Sequence, residues 1–486
     1  MVSIGIDLGT TYSCVAIIEN GRPHAIHNEG RNIVPSVAAF GEGETLVGNS
    51  VLDYNTDLSN ILYDRIFSDS KRLIGWHSLN DLPNADDRQL WTFDIDTRNN
   101  SVGYVLNKGK PNEKFVMPEE VSAEILKSLK DQAEKYTGQK VTKAVVTVPA
   151  SFNSDQIAAT KRATEMAGLE LKDLLQEPTA VIIAYMEKHK LERSKIMIFD
   201  FGGGILDIRI AQINPNGYEL KAATGDSHLG GQDFDSRIMK FVIDESKKSP
   251  PNYDIYKNPR LLKRLRTGCR NAKEFLSASN NPVNIHLDIN DDVAINVELS
   301  MEKFNDLCND LFDRTMVYVN EALNMAQLSP GQLDYVILVG GSTRIPEIQK
   351  KLENKFGKDK LKFDINPDEA VAHGAAISAN SPEKPIKYEP LDENQILFYL
   401  PYRDESGDEG RICVFNLQNY SIEKISKFNS YLLTHMVATT NDKIFGINSV
   451  DESFEIYNLD TRQISRGLIN KSMNDRFKEF CRPKSS

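Results

Sequence analysis

The chain has 486 residues, which predicts roughly two to four compact units because a single hydrophobic core rarely grows past about 250–300 residues. Its apolar fraction of 40% and its charged fraction of 26% are typical of globular proteins and exclude wholesale disorder. The net charge of -11 argues against a nucleic-acid binder, because binding to phosphates needs a basic face.

The N-terminal sequence MVSIGIDLGTTYS leads directly into a strand pattern, without the basic stretch, apolar run and cleavage site of a secretory signal. No run approaches the roughly 18 apolar residues that span a bilayer. We therefore expect a cytoplasmic protein, with access to the nucleus left open, that binds neither membranes nor nucleic acid. The cysteines lack metal-ligand spacing, which favours buried free thiols in a reducing compartment; they are Cys14, Cys269, Cys308, Cys413 and Cys481.

Two segments share one pattern, IGIDLGTTYSCVAI at residues 4–17 and MIFDFGGGILDIRI at residues 197–210. Each predicts a buried strand that ends at an aspartate, a tight turn of small residues, and a second strand. Aligned without a gap, the segments place Asp7 over Asp200. One such hairpin could occur by chance in any α/β protein, but two in register indicate a duplication. The sequence therefore predicts an α/β fold with two similar lobes.

Further elements follow these hairpins along the chain. PEEVSAEILKSLKDQAEKYTG predicts a helix with Pro118 in its first turn and Gly138 as its terminator. DQIAATKRATEMAGL, from Asp155, predicts another. AVVTVPAS and YVILVGGSTRIP predict apolar strands that end in loops of small residues. Residues 230–305 predict a helix-rich insertion that forms a crown on the second lobe.

The composition changes after Ala379. NSPEKPIKYEPLDEN, with three prolines and many charges, predicts a linker. Beyond it, RICVFNLQNYSIEKI and SFEIYNLDTRQIS place Asn416 and Asn458 42 residues apart, near the period of a β-propeller blade. Two unrelated hairpins would explain this β-rich tail equally well. The predicted domains are lobe I at 1–188, lobe II at 189–381, a linker at 382–394 and the tail at 395–486.

The turns of the two hairpins suit phosphate chemistry. Hydrolysis of a nucleoside triphosphate needs carboxylates for a metal ion, backbone donors for the phosphates, a cation and a group that orients water. Asp7 and Asp200 would suit Mg²⁺, and turns rich in glycine let amide groups approach phosphate oxygens. A third loop, GGSTRIP, precedes a predicted helix, a favourable place for a nucleotide. The sequence therefore predicts a nucleotide in the cleft between the lobes.

Eight segments then resemble the ATPase signatures of the seventy-kilodalton heat-shock chaperones. They are IDLGTTYSCVA, SKRLIG, VTKAVVTVPASFN, EPTAVIIAY, FDFGGG, GDSHLGGQDFD, VGGSTRIP and INPDEAVAHGAA. The resemblance covers residues 3 to about 381 in the family's order. It implies the actin-like ATPase fold, with duplicated ribonuclease-H-like domains and ATP or ADP in the cleft. It also implies Mg²⁺, with K⁺ as a further candidate ion, and J-domain and nucleotide-exchange helpers as partners.

The resemblance also implies roles for individual residues. Lys71 would be the cation beside the γ-phosphate, and Glu177 would help hold the water shell of a metal framed by Asp7 and Asp200. Asp207 would lie near the catalytic water. Taken without the resemblance, Lys71 would be an exposed helix lysine and Glu177 a solvated cap. The residues implied to bind the nucleotide are Gly9, Thr10, Thr11, Tyr12, Gly202, Gly203, Gly204, Gly230, Gly231, Lys273, Ser277, Gly340, Gly341, Ser342, Arg344 and Asp368.

The chain departs from the family pattern around the nucleotide. Ile205 stands where the family has threonine, which removes a hydroxyl worth about 0.5–1.5 kcal/mol if it bonds. Gln232 replaces an acid. Arg270 and Glu274 exchange the charges of a pair whose arginine stacks on adenine in the family, so adenine loses that partner unless Arg270 reaches across. Hydrolysis is therefore expected to be slower than in the family.

Other departures affect partners. Ile157 replaces an arginine that relays ATP binding to the family's peptide-binding domain. Asp173 replaces a basic residue that receives the J-domain helper, and its charge would repel an acidic motif. The leucine-rich linker and β-sandwich peptide domain of the family have no counterpart in the sequence after residue 381, so the tail could bind a different, unidentified protein.

Three functions remain open at this point. The first is an ATPase of the chaperone family, diverged or truncated and without its own peptide-binding domain. The second is a non-catalytic module whose interactions depend on nucleotide. The third is a small-molecule kinase of the same superfamily, which would have no reason to retain SKRLIG and GDSHLGG.

Overall fold

A computed structural model describes residues 2–27, 30–41, 45–52, 65–82, 88, 90–189, 193–214, 217–248, 254–279, 281–290 and 292–381, and after these the backbone of separate strands between residues 395 and 468. The chain divides into two compact units, Met1–Pro382 and Glu383–Ser486.

The larger unit alternates strands and helices. Its strands are β1 Val2–Asp7, β2 Tyr12–Glu19, β3 Arg22–Ala25, β4 Val34–Pro35, β5 Val37–Phe40, β6 Thr45–Val47, β7 Ile66–Ser68, β8 Asp94–Arg98, β9 Ser101–Leu106, β10 Lys114–Val116, β11 Val141–Val148, β12 Glu170–Gln176, β13 Lys195–Phe201, β14 Leu206–Asn214, β15 Gly217–Asp226, β16 Val283–Asp288, β17 Ala294–Leu299, β18 Tyr335–Val339 and β19 Leu361–Lys362. Its helices are α1 Asn49–Leu52, α2 Ser70–Leu73, α3 Pro118–Thr137, α4 Ser154–Met166, α5 Glu177–Lys188, α6 Gly231–Ser246, α7 Pro259–Ala278, α8 Met301–Met325, α9 Pro346–Phe356 and α10 Ala370–Asn380.

Two sheets repeat one arrangement. The first has the order β12-β11-β1-β2-β3, and the second has the order β19-β18-β13-β14-β15. In each, an antiparallel hairpin pairs through its first strand with a parallel strand from later in the chain. The predicted duplication and the two-lobed actin-like fold are thereby confirmed.

Both hairpins begin with strands that are apolar over most of their length. Ile4 and Ile6 of β1, like Phe199 and Phe201 of β13, are completely buried. Strands buried on both faces are expected where helices cover a parallel sheet. This burial fixes the register of each hairpin, and with it the position of the aspartate near the end of its first strand.

The small-residue helix α10 packs closely against α5 and β1. A Cβ added at Gly374 of α10 would overlap the backbone of Ala180 in α5, and one added at Gly5 of β1 would overlap the backbone of Ala376. Because α5 begins at Glu177, this contact helps to hold that carboxylate at the edge of the first sheet.

Most predicted elements of the larger unit are present. Helix α3 runs from Pro118 to Thr137, and Gly138 ends it with a left-handed φ of 65°. Helix α4 begins after Asn153, whose side chain accepts hydrogen bonds from two backbone amides of the first turn. The predicted crown contains α6 and α7 but also the hairpin β16–β17, which its alternating residues favour.

The smaller unit contains two antiparallel sheets, in the orders β20-β21-β22 and β23-β24-β25-β26. Its strands are β20 Gln395–Asp404, β21 Gly407–Asn416, β22 Ser421–Asn429, β23 Ala438–Thr440, β24 Lys443–Asn448, β25 Ser453–Asn458 and β26 Ile464–Leu468. The β-rich character predicted for the tail is confirmed, while its interpretation as two propeller repeats stays a prediction. The predicted linker, 382–394, and Cys481 lie outside the described residues.

Two further expectations concern thiols and membranes. Cys14, Cys269 and Cys308 are buried free cysteines, as predicted. None of the described helices combines the length and the apolar character needed to cross a bilayer.

Candidate functional site

A cavity of about 690 Å³ lies between the two hairpin turns. Its wall contains carboxylates, glycine-rich loops and the inner face of the crown. All the predicted site residues except Gly230 line it: Asp7, Gly9, Thr10, Thr11, Tyr12, Lys71, Glu177, Asp200, Gly202, Gly203, Gly204, Asp207, Gly231, Lys273, Ser277, Gly340, Gly341, Ser342, Arg344 and Asp368.

Gly230 is the one predicted site residue outside this lining, so its contact with the nucleotide stays a prediction. Its backbone packs against the glycine turn so closely that an added Cβ would overlap Gly204. Its N–H donates to Asp233 Oδ2 at 2.7 Å, which caps the start of α6. Gly230 therefore allows the start of α6 to pack closely against the glycine turn. The motif alone does not distinguish this packing role from direct contact with a nucleotide.

Carboxylates are concentrated at the floor of the cavity. Burial and then the neighbouring Glu177 raise the pKa of Asp7 to about 7. Burial, followed by Glu177 and Asp207, raises the pKa of Asp200 well above its usual range. Both shifts mean that the positive charges and hydrogen-bond donors of the protein do not fully offset the negative charge of the ionised carboxylates. The site would therefore attract a cation.

The donor set fits Mg²⁺ that is held largely through water. Among the residues the structure describes, no three His, Cys, Asp or Glu side chains form a group that could enclose a metal ion by themselves. Mg²⁺ usually retains several waters and takes one or two carboxylates together with substrate phosphates. Asp7, Asp200 and Glu177 provide the oxygen ligands that such an arrangement needs.

Lys71 supplies positive charge beside these carboxylates. It lies in the short helix α2, and its side chain is only 7% exposed. Its Nζ forms an ion pair with Glu177 Oε1. Glu177, the first residue of α5, is itself buried. The interpretations of Lys71 as an exposed lysine and of Glu177 as a solvated cap are therefore wrong, because two distant helices bring the residues together inside the cleft.

Asp207 faces the same floor from β14. It pairs with Asp200 across the second hairpin, and its Oδ2 accepts a hydrogen bond of 3.1 Å from the N–H of Ala150. Arg209 Nε lies 3.4 Å from its Oδ1. Burial, opposed by Arg209, raises the pKa of Asp207 to about 6. The carboxylate is thus held in one orientation and can still accept a proton near neutral pH.

Close packing requires glycine where the two hairpin turns meet and also in the third loop. A Cβ added at Gly203 would overlap the side chain of Thr11 on the opposite turn. Gly340 adopts a φ of +82°, and an added Cβ would lie 2.5 Å from the carbonyl oxygen of Phe201. Glycine at these two positions is required by protein packing as well as by access to phosphate.

The crown and the third loop form the other end of the cavity. Lys273 Nζ lies 2.8 Å from Asp235 Oδ1 and donates to the carbonyl oxygen of Gly231 at 2.7 Å. Arg344 forms a 2.7 Å ion pair with Asp368. These contacts hold three of the side chains that the resemblance implies for nucleotide binding, those of Lys273, Arg344 and Asp368.

Arg270, whose charge is exchanged with that of Glu274 relative to the resembling family, contacts two protein side chains. Its guanidinium carbon lies 6.0 Å from the centre of the Tyr12 ring, and its Nε lies 3.8 Å from Asp235 Oδ2. Glu274, four residues later on α7, is exposed and lines the cavity. Both members of the exchanged pair therefore line the cavity, and Arg270 also contacts protein groups there.

Sequence reasoning missed several residues of the wall. Asp235 belongs to the quoted motif GDSHLGGQDFD, so that motif could have identified it. Arg31 and Asn49 gave no local signal, because the fold alone brings their loops to the cavity. The same is true of Thr267 and Asn271 on α7.

Comparison with known proteins shows which family the chain resembles. Residues 3–387 match the family model described as Hsp70 protein. The chain is 39% identical over 385 residues to the heat shock cognate 70 kDa protein 3 of Dictyostelium discoideum, covering 78% of this chain and 60% of that protein. It is 41% identical to the heat shock 70 kDa protein BIP3 of Oryza sativa subsp. japonica and 40% identical to the heat shock 70 kDa protein of Neurospora crassa, each over 381 residues. These matches cover 78% of this chain and 56% and 58% of the two relatives, so the chain spans less than two thirds of the curated relatives it matches.

Proposed function

This chain belongs to the Hsp70 protein family, and on that premise we propose that its cleft binds ATP and ADP together with Mg²⁺ and hydrolyses ATP slowly. The observation that carries the proposal is the concentration of Asp7, Asp200 and Glu177 around Lys71, at the place where the two duplicated turns meet. Burying three carboxylates beside a single lysine is costly, and binding a neutral ligand would not offset that cost.

The phosphates would bind between the two turns, where backbone amides can approach them closely. Asp7, Asp200 and Glu177 would hold Mg²⁺, mostly through its waters. When bound there, the ion would neutralise charge on the phosphate oxygens. Lys71 would add a second positive charge next to the γ-phosphate, and the base and ribose would lie between α7 and the third glycine loop.

Asp207 would orient the attacking water. Its Oδ2 is held by the N–H of Ala150, and a carboxylate whose pKa is about 6 can accept a proton from water as the new bond to phosphorus forms. Ile205 lines the cavity beside the glycine turn and offers no hydroxyl to a phosphate oxygen or water. The missing hydrogen bond is the reason that we propose slow turnover.

The same residue favours a second candidate, a module that binds nucleotide without hydrolysing it. Phosphate release by the purified chain under single-turnover conditions separates the two, with Lys71→Ala as the matched control for contaminating ATPases. Release that disappears in Lys71→Ala supports hydrolysis. If the two proteins release phosphate equally while both bind Mg·ADP in calorimetry, the non-catalytic module is the better description.

Membership of the family also suggests protein partners. We propose that nucleotide-exchange helpers act on this chain, and that docking of a J-domain helper is weak because Asp173 is exposed on β12 where an acidic motif would meet it. Tight binding of a J-domain by the chain, together with faster hydrolysis, would contradict this part of the proposal. The β-rich tail is proposed as the surface for a further protein partner.

A further inference from the structure

Gln232 connects the two lobes and also lines the cavity between them. It is the second residue of α6 in lobe II and is only 7% exposed. Its Nε2 donates to Asp69 Oδ1 at 2.6 Å and to Thr11 Oγ1 at 3.1 Å. Both acceptors belong to lobe I, so one amide nitrogen uses its two hydrogens to join two separate segments of the opposite lobe.

Both segments carry parts of the proposed phosphate site. Thr11 belongs to the first hairpin turn, and Asp69 directly precedes the helix α2 that contains Lys71. Asp69 is 1% exposed and has a left-handed φ of 61°, a conformation that costs free energy in residues other than glycine unless neighbouring contacts hold it. The bond from Gln232 is one of these contacts.

The surroundings of Asp69 determine whether a neutral or a negative side chain at position 232 can contact it favourably. Asp69 Oδ2 accepts from Ser68 Oγ at 2.9 Å and lies 3.8 Å from Arg266 Nη1. Its Oδ1 faces the amide of Gln232. A glutamate at position 232 would have no N–H to donate and would bring a second negative charge against Asp69.

Other contacts also join the lobes nearby. Arg72 Nη2 donates to the carbonyl oxygen of Gly204 at 3.1 Å and to Asp233 Oδ2 at 3.2 Å. Within lobe II, the backbone N–H of Gln232 donates to the carbonyl oxygen of Gly203 at 2.8 Å. These bonds do not depend on the chemistry of the side chain at position 232, so changing it should loosen the connection without removing it.

We propose that Gln232 is a positioning residue whose side-chain amide holds the first phosphate turn and the Lys71 helix of lobe I against lobe II, and thereby slows opening of the cleft and release of nucleotide. The part that concerns release rests on the proposed nucleotide-binding function. The part that concerns the contact between lobes does not.

The experiment compares Gln232→Glu with the double variant Asp69→Asn, Gln232→Glu. The double variant reverses the donor and the acceptor: an asparagine at position 69 can donate to the new carboxylate, and asparagine tolerates the left-handed φ. Gln212→Glu is the matched control, because Gln212 Nε2 also donates to two oxygens, the backbone carbonyls of Ser194 and Ile213, but within one lobe. Thermal unfolding checks that all the variants fold.

Hydrogen exchange of the nucleotide-free chain is the first measurement. The amides of Arg72 and Ser36 are useful reporters, because they donate to the carbonyl oxygens of Asp69 and Thr11. We expect exchange at residues 69–73 and 34–37 to be faster in Gln232→Glu, to return toward the wild-type rate in the double variant, and to be unchanged in Gln212→Glu.

Dissociation of a fluorescent Mg·ADP is the second measurement. We expect it to be roughly tenfold faster in Gln232→Glu, the size expected when a hydrogen bond to a charged group is lost, and to return to within about threefold of wild type in the double variant. Equal exchange and equal dissociation in Gln232→Glu and Gln212→Glu would overturn the proposal, as would failure of the double variant to restore either rate. If the wild-type chain does not bind Mg·ADP, the proposed function is wrong, and hydrogen exchange alone still decides whether Gln232 joins the lobes.

Discussion

Four carboxylates share the floor of the cleft with Lys71, and their charge determines which ligands the site attracts; they are Asp7, Glu177, Asp200 and Asp207. Glu177 pairs with Lys71, whereas Asp7 and Asp200 have raised pKa values because burial and neighbouring carboxylates disfavour their ionised forms. A bound cation would reverse this preference by stabilising the ionised forms. At the residue scale, the site is therefore expected to depend on metal more strongly than on any one hydrogen bond.

The first prediction tests that dependence with Asp200→Asn. The substitution preserves shape and removes one full charge next to the proposed ion, so we expect affinity for ADP in the presence of Mg²⁺ to fall at least tenfold. Affinity measured in excess chelator should change little. Isothermal calorimetry under both conditions gives the comparison, and an equal loss with and without Mg²⁺ would show that Asp200 acts on the nucleotide directly.

A stability measurement controls for damage to the fold in this variant. A raised pKa means that folding favours the protonated carboxyl, so ionisation of Asp200 near neutral pH costs stability in the metal-free protein. Asparagine cannot ionise. Metal-free Asp200→Asn should therefore unfold at the wild-type temperature or above it, and a lower temperature would indicate lost packing.

The second prediction concerns the hydroxyl missing at position 205. Ile205→Thr would return a hydroxyl to the glycine turn and should raise the single-turnover rate of ATP hydrolysis several-fold, because a hydrogen bond worth about 0.5–1.5 kcal/mol in the transition state changes a rate by roughly 2- to 13-fold. Ile205→Val, which shortens the side chain without adding a hydroxyl, is the control. A rate in Ile205→Thr that equals the rate in Ile205→Val would contradict the explanation of slow turnover.

Sequence and structure agree best for residues that lie in continuous strand-turn segments. Asp7, Asp200 and the glycine turns could be predicted because a strand and its turn are local. Lys71 and Glu177 required resemblance to a family, since helices α2 and α5 meet only in three dimensions. The bond between Gln232 and Asp69 could not be predicted, because 163 residues separate the partners and neither position has a pattern that names the other.

At the scale of elements, α10 packs closely against α5 and against β1 of the first sheet. The sequence AVAHGAAISAN predicts a helix, but it does not show which of its small residues must be small because a neighbouring backbone lies against it. In the structure, Gly374 meets the backbone of Ala180. By contrast, Gly268 of α7 has only an ordinary contact, 3.6 Å from Ile285 to an added Cβ.

The third prediction is that the same substitution, glycine to alanine, has opposite effects on stability at these two positions. Gly268→Ala should raise the free energy of unfolding by about 0.5–1 kcal/mol, because alanine is the better helix former and its methyl group fits. Gly374→Ala should lower it by about 1–3 kcal/mol, because the methyl group must displace backbone. Urea unfolding measures both, and a stabilising Gly374→Ala would mean that α5 and α10 can separate without cost.

At the scale of the whole molecule, the fourth prediction is that the 486-residue chain by itself does not hold extended peptides in a nucleotide-sensitive way. Members of the resembling family hold peptides in a β-sandwich joined through an apolar linker. Here residues 381–397 read SPEKPIKYEPLDENQIL, which is charged and interrupted by proline. Ile157 on α4, half-buried, cannot replace the arginine that relays ATP binding in that family.

Fluorescence anisotropy of a labelled client peptide, with and without ATP, measures this directly. Suppression of aggregation of a heat-denatured client, with ATP and a J-domain protein, gives an independent readout, and a complete seventy-kilodalton heat-shock chaperone is the positive control. Micromolar peptide binding that weakens on addition of ATP would contradict the prediction, because one of the two units would then have to contain a peptide site.

The repeated sheet order has a consequence for how the chain folds during synthesis. Val2 of β1 pairs with Val141 of β11, and Ile196 of β13 pairs with Tyr335 of β18. Each first hairpin must therefore wait for a parallel partner 139 residues later. At a ribosomal rate of about 5–20 residues per second, this wait is roughly 7–28 s. During that time the hairpin exposes an unpaired apolar edge of the kind that aggregates, so each lobe of this chain passes through an interval in which the nascent protein is itself vulnerable to misfolding.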